Sequence, residues 1–251
     1  TNELINRNNL SSAAAAARMR LIEGLFSAPE QPLFGIDPDR APPEKSMYLS
    51  VIQKGGLHRQ SGDQYAIALP TAETDTLNLK PALDEIQRLL ESGLGARIAV
   101  TDILARLARR PYGVRVGLAP LLLAIVVKAR AHELAVYENG AYRSSFGAQD
   151  FLRLTKAPAT FELQHCRLEG VRAEVFARLA ETFAQPTKPR EPQILDVVQP
   201  LCRFAAQLPE YTRKAGALES PAAKVRDVVL SATDPSGMLF NELPAACGLE
   251  P

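Results

Sequence analysis

Apolar residues at Val100, Ile103, Leu104 and Leu107 recur at helical spacing, and this pattern predicts an amphipathic helix. Pro111-Tyr112-Gly113 stops it, because proline has no N–H to donate and glycine tolerates the turn. Leu118–Lys128 is nearly all apolar, so the next helix is expected to be buried on most sides. Leu134–Tyr137 reads as a strand. Glu138-Asn139-Gly140 supplies a hairpin turn, since Asn-Gly accepts the positive φ angles of a two-residue turn, and Ala141–Phe146 returns. Two helices on a sharp turn followed by a small β-wing is the element order of a winged-helix unit.

The N-terminal stretch repeats that order without repeating the residues. Ser11 or Ser12 can cap a helix over Asn9–Ser27, whose first turns are the alanine run and whose apolar side carries Met19, Leu21, Ile22, Leu25 and Phe26. Pro29 and Pro32 end it, and Gly35–Pro43 reads as a connector. Pro42-Pro43-Glu44 then opens a helix closed by Gly55-Gly56. His58–Pro70 reads as a hairpin turning at Ser61-Gly62-Asp63. Thr71–Leu79 is polar and reads as a linker, and Pro81–Ser92 places Leu83, Ile86, Leu89 and Leu90 on one helical face.

Beyond the second hairpin the pattern predicts a helix over Ala148–Thr155 and an alternating strand over Phe161–Arg167. A helix over Val171–Phe183 and a proline-rich linker over Gln185–Pro192 follow. Further helices are expected over Ile194–Leu208, with a bend near Pro200, and over Pro221–Ala232 and Met238–Cys247. The expected fold is α+β and predominantly helical: a winged-helix-like unit over 1–75, a second over 76–160, and a mainly helical part over 161–251.

Composition narrows the function. A 46% apolar share can build real cores, and the formal net charge of +1 excludes a globally basic protein, so any nucleic-acid surface must be local. Aromatic residues make up 6% and tryptophan is absent, which is poor material for extended base-stacking platforms. Cys166, Cys202 and Cys247 are odd in number and far apart, arguing against a disulfide framework and for a reducing cytoplasm. Leu118–Val127 is too short to span a bilayer, and no membrane partner is expected. The start at Thr1-Asn2-Glu3-Leu4, with no initiator Met, and the abrupt end after Leu249 lead us to expect an excised piece of a longer protein.

The chain has no G-x-x-x-x-G-K-[ST] phosphate loop and no G-x-G-x-x-G dinucleotide fingerprint. His58, His132 and His165 are scattered. His165-Cys166 is the only His/Cys neighbour pair, better read as a strand histidine beside a buried thiol than as a metal site. No metal, cofactor or catalytic residue is expected.

The basic stretch carries more. Arg97, Arg106, Arg109, Arg110 and Arg115 lie close together against only Asp102. On a helix-turn-helix such charge can neutralise backbone phosphates and release counterions. Two structural alternatives stand beside this. Arg109 and Arg110 could complement the helix C-terminal dipole, or the arginines could pair with acids of a neighbouring element. The following helix is too apolar for its middle to enter a major groove, leaving its first turn or the wing around Asn139–Arg143 to reach phosphates. His58 and Arg59 repeat the signal at the first hairpin.

Arg109-Arg-Pro-Tyr-Gly113, Gly117-Leu-Ala-Pro-Leu-Leu-Leu123 and Val136-Tyr-Glu-Asn-Gly140 resemble a region of large bacterial P-loop ATPases of phage-defence islands, the BREX-type ATPases of the BrxC and PglY kind. Phe161-Glu-Leu163, Leu208-Pro-Glu-Tyr-Thr212 and Leu239-Phe-Asn-Glu-Leu-Pro244 extend the resemblance over most of the chain. It implies a region that follows the ATPase core and binds DNA or partner subunits. It carries over no catalytic residue, because the motifs that define the family's activity lie outside this segment. The expected function is a non-catalytic DNA-binding or DNA-positioning module of a larger ATPase, with Arg106, Arg109, Arg110, Arg115 and Arg143 contacting phosphates. The alternative is a protein-interaction scaffold within a multi-subunit ATPase complex, docking through an apolar patch on Ile194–Leu208 or Met238–Leu249. A free-standing enzyme is the third reading and has no supporting motif.

Overall fold

The computed structural model of the chain describes residues 3–93, 95–166, 176, 180, 193–214 and 221–249. It is α+β and predominantly helical. The chain divides into two compact units that do not follow chain order. The first takes Thr1–Leu94, Ile98–Arg130 and Phe146–Phe161; the second takes Gly95–Arg97, Ala131–Ser145 and Glu162–Pro251.

The first unit begins with a short helix, α1 (Glu3–Asn6), and the long α2 (Ser12–Ser27). Ser11 is the N-cap of α2, its hydroxyl accepting from the Ala14 N–H at 3.2 Å. After the connector come α3 (Pro43–Met47), continued by a π-helical turn over Tyr48–Gln53, and the hairpin β1 (His58–Ser61) and β2 (Gln64–Ile67). Ser61 faces Gln64 across the turn, and Gly62 takes the positive φ of +62° that the turn requires. The helices α4 (Lys80–Ser92), α5 (Val100–Ala108), α6 (Ala119–Ala129) and α7 (Ala148–Lys156) complete the unit.

Helix α6 is its axis. Every residue from Leu121 to Val127 is buried. A helix that is apolar around its whole circumference must be covered on all sides, and α2, α4, α5 and strand β2 pack against it. At its C-terminal end Arg130 pairs with Glu91 of α4 at 2.7 Å. Each of these buried aliphatic side chains contributes about 1.5–3 kcal/mol by leaving water.

The connector holds a feature the sequence pattern does not predict. Leu33, Phe34 and Gly35 are all left-handed, with φ of 58°, 55° and 77°. For a leucine and a phenylalanine this costs on the order of 1–2 kcal/mol each. Burial offsets it: the Phe34 ring lies edge-on to Tyr48 at 5.1 Å and 4.3 Å from the His58 ring. Gly24 makes room, since a Cβ there would lie 3.0 Å from Phe34 Cβ and O.

His58 is therefore not a surface wing residue, as the sequence reading had it, but a core residue. Its Nε2 lies 2.8 Å from the Pro29 carbonyl, which can only accept, and its Nδ1 lies 2.7 Å from the Tyr48 hydroxyl. Arg59 is likewise committed inward, donating to Gly56 O at 2.7 Å and Thr74 Oγ1 at 2.8 Å.

The second unit holds β4 (Leu134–Glu138) and β5 (Ala141–Tyr142), with Arg97 of β3 (Arg97–Ala99) and Glu162–His165 of β6 (Phe161–His165); the four strands run in the order β3-β6-β4-β5. Strands β3 and β6 are where the chain passes between units. The β4–β5 turn is the expected Asn139-Gly140 pair, with φ of +52° and +78°. Strand β5 is two residues long, shorter than the expected return over Ala141–Phe146. Helix α8 (Ile194–Gln207) runs unbroken through Pro200, followed by α9 (Glu210–Lys214), α10 (Pro221–Leu230), α11 (Pro235–Gly237), a π-helical turn over Met238–Glu242 and α12 (Leu243–Ala246). Ile194, Val197 and Val198 pack in one core with Tyr137, Met238 and Leu239. Of the expected helix over Val171–Phe183, only Phe176 and Ala180 are described; both are helical and buried. The expected linker over Gln185–Pro192 lies outside the described residues.

Burial holds the His58 pKa below its ordinary value of 6.5. The folded state thus resists protonating His58, and stability present above about pH 6.5 is lost as pH falls below it. Thermal melts near pH 7.5 and about pH 5.5 are expected to show lower stability at the acid end. In His58→Phe this pH dependence shrinks, and the variant loses about 2 kcal/mol near pH 7.5 through the orphaned Pro29 carbonyl and Tyr48 hydroxyl.

Candidate nucleic-acid interface

The arginines read from sequence divide between the two units. Four lie in the first unit, on α5 or in the loop from Arg109 to Leu118 that joins it to α6; Arg143 lies in the second. There Arg143 pairs with Glu138 at 3.6 Å, across the β4–β5 hairpin. Arg97 serves the second unit internally. Its guanidinium carbon lies 3.7 Å above the Tyr137 ring, and it donates to Gly140 O at 3.1 Å and Thr233 O at 3.2 Å.

Arg106, in the last turn of α5, points back at α4. Its Nε donates to Glu85 Oε1 at 2.6 Å. Arg88, one turn along α4 from Glu85, grips the same carboxylate through two bonds of 2.7 Å, Nε to Oε2 and Nη2 to Oε1. The Glu85 side chain is only 3% exposed, whereas those of Arg88 and Arg106 are 59% and 36% exposed. The Arg106 guanidinium sits 5.1 Å from the Tyr112 ring centroid. The Arg88 bonds chiefly, against the cost of desolvation and helped by Arg106 and Tyr112, bring the Glu85 pKa down to about 2. One buried carboxylate thus holds two guanidiniums at the surface, at a net charge of +1.

Glu85 and Arg88 were missed in the sequence reading, and Tyr112 was read only as part of a helix stop. The available signal was the Glu85-x-x-Arg88 spacing, which puts both on one face of α4.

The α5–α6 loop has a fixed path. Val114 N–H donates to Leu107 O at 2.9 Å, and Gly113 N–H to Arg109 O at 3.0 Å. Arg18 of α2 donates to Gly117 O at 3.1 Å, while Gly117 packs so closely on Leu10 that a Cβ would come within 2.9 Å of it. From this braced loop Arg109, Arg110 and Arg115 project into solvent. Arg109 and Arg110 form no ion pair among the described residues.

Elsewhere His165 Nε2 lies 3.0 Å from Glu133 Oε2, and Cys166 is buried, its thiol pushed up to about 12 by desolvation. Among the described residues no three His, Cys, Asp or Glu side chains cluster as metal ligands would, and no helix is long and apolar enough to cross a membrane. Comparison with protein-family models, curated proteins and solved structures finds no match.

Because Glu85 titrates below its ordinary value of 4.5, its contribution to stability is present above that pH and lost as pH falls from about 4.5 to 2. Glu85→Gln is expected to lose about 1–3 kcal/mol near pH 7, since both arginines keep water as a second partner, and to flatten that acid limb. Urea unfolding at several pH values measures both.

Proposed function

We propose that this chain is a non-catalytic module that binds nucleic acid by its backbone, through Arg109, Arg110 and Arg115 on the α5–α6 loop. One observation carries the reading: a braced loop presents three arginines to solvent within seven residues, two of them outside any ion pair among the described residues. A braced backbone need not be ordered again on meeting phosphates, and arginine–phosphate contacts give affinity without sequence readout. Arg106 contributes to the local field but is held by Glu85, so its role is to support the surface.

On this reading α4, α5 and α6 form a variant helix-turn-helix within the first unit. Its last helix, α6, is sheathed in the core and reads no bases. The resemblance to BREX-type ATPases of bacterial phage defence supports placing the module beside an ATPase core in the cytoplasm, with DNA and neighbouring subunits as partners. A protein-interaction scaffold is the second reading. It is favoured by the second unit, where Phe204 of α8 is 66% exposed and Tyr211 of α9 is 86% exposed.

Fluorescence anisotropy with labelled DNA across a salt series tests the proposal. Three phosphate contacts predict a roughly 40-fold loss of affinity between about 50 and 200 mM salt. Arg109→Glu/Arg110→Glu, at two exposed positions outside any ion pair among the described residues, is expected to weaken binding more than about tenfold and leave the melting temperature unchanged. Salt-independent binding, or none at low salt, would remove the proposal and shift attention to the Phe204–Tyr211 surface.

A further inference from the structure

We infer that the ligand of the α5–α6 loop is a single-stranded nucleic acid, with Tyr112 as the platform on which a base stacks. This deepens the proposed function and rests on it.

The loop carries more than charge. Tyr112 lies between Arg110 and Arg115 in the chain, partly exposed, and Val116 beside them is 66% exposed. A duplex presents phosphates and sugars to a loop and hides its base faces in the stack. It offers sugar edges and methyl groups but no base face for an aromatic ring to stack on. A single strand offers both surfaces at once, phosphates for the arginines and unstacked bases for the ring.

Major-groove readout needs an element that enters the groove, and α6, which follows the loop, is buried from Leu121 to Val127.

Tyr112 is built for such contact. Arg106 flanks its ring at 5.1 Å and is itself held by the Glu85 carboxylate at 2.6 Å. The carboxylate is in turn locked by Arg88. The ring is therefore oriented before any ligand arrives, which lowers the entropic cost of stacking. Glu85 is a positioning residue here: it touches no ligand and acts through Arg106 on the ring that does.

The test uses the whole 251-residue chain with two fluorescent probes, oligothymidylate of about 20 nucleotides and a mixed-sequence duplex of equal length. The single strand is expected to bind about tenfold tighter than the duplex. Tyr112→Leu is expected to weaken the single strand about tenfold and leave the duplex unchanged, while Tyr112→Phe retains most of the affinity. Photocrosslinking with a 5-iodouracil-containing oligonucleotide should place the adduct on Tyr112, a readout that a purely structural tyrosine would not give. Equal or tighter duplex binding, insensitive to Tyr112→Leu and with the crosslink elsewhere, overturns the inference and leaves the phosphate-binding proposal standing. Binding to neither probe overturns both. Polyglutamate displacing the strand from wild type and Tyr112→Leu alike overturns the inference in favour of an acidic protein partner.

Discussion

The first unit depends on the burial of α6. Seven consecutive residues, Leu121–Val127, are out of water, so no side of this helix can serve as a surface. Helices α2, α4 and α5 are held where they are by the need to cover it. The same constraint decides where charge can go. Arginines cannot sit on the middle of α6, so in this part of the chain they collect at its approaches: on α4, at the end of α5 and in the loop between. A loop that must turn sharply and stay in solvent is a place where three guanidiniums cost the core nothing.

Inside that arrangement one buried acid has a large effect. A carboxylate in the position of Glu85 would be costly alone, and it is tolerated because two guanidiniums satisfy it. The bond from Arg106 ties α5 to α4. The second unit answers a similar need differently. Arg97 lies over the Tyr137 ring and closes two backbone carbonyls, so its charge is spent on cohesion.

Much of the fold was legible in the sequence. Helices α2, α4, α5 and α6, the two hairpins and the Asn139-Gly140 turn follow from periodicity, capping and turn chemistry, which act over a few residues. The left-handed run Leu33-Phe34-Gly35 was not legible, because only the pocket made by Tyr48, His58 and Gly24 makes it tolerable. His58 beside Arg59 looked like a basic wing tip. The hairpin's position turned that histidine into the core, where a carbonyl and a phenol hold it.

The sequence by itself determined the longer helices α2, α4, α5 and α6, the two hairpins with their turns, and that α6 would be buried, because hydrophobic spacing and turn residues are local properties of the chain. It also located the run of arginines. Tertiary structure alone decided what each arginine does: Arg106 and Arg88 share Glu85, Arg97 serves the second unit's interior, Arg143 pairs across its own hairpin, and Arg109, Arg110 and Arg115 face solvent. The reason is that an arginine's role is set by the acid, ring or carbonyl within about 4 Å of it. Residues 21 positions apart, such as Glu85 and Arg106, become neighbours only when their helices pack.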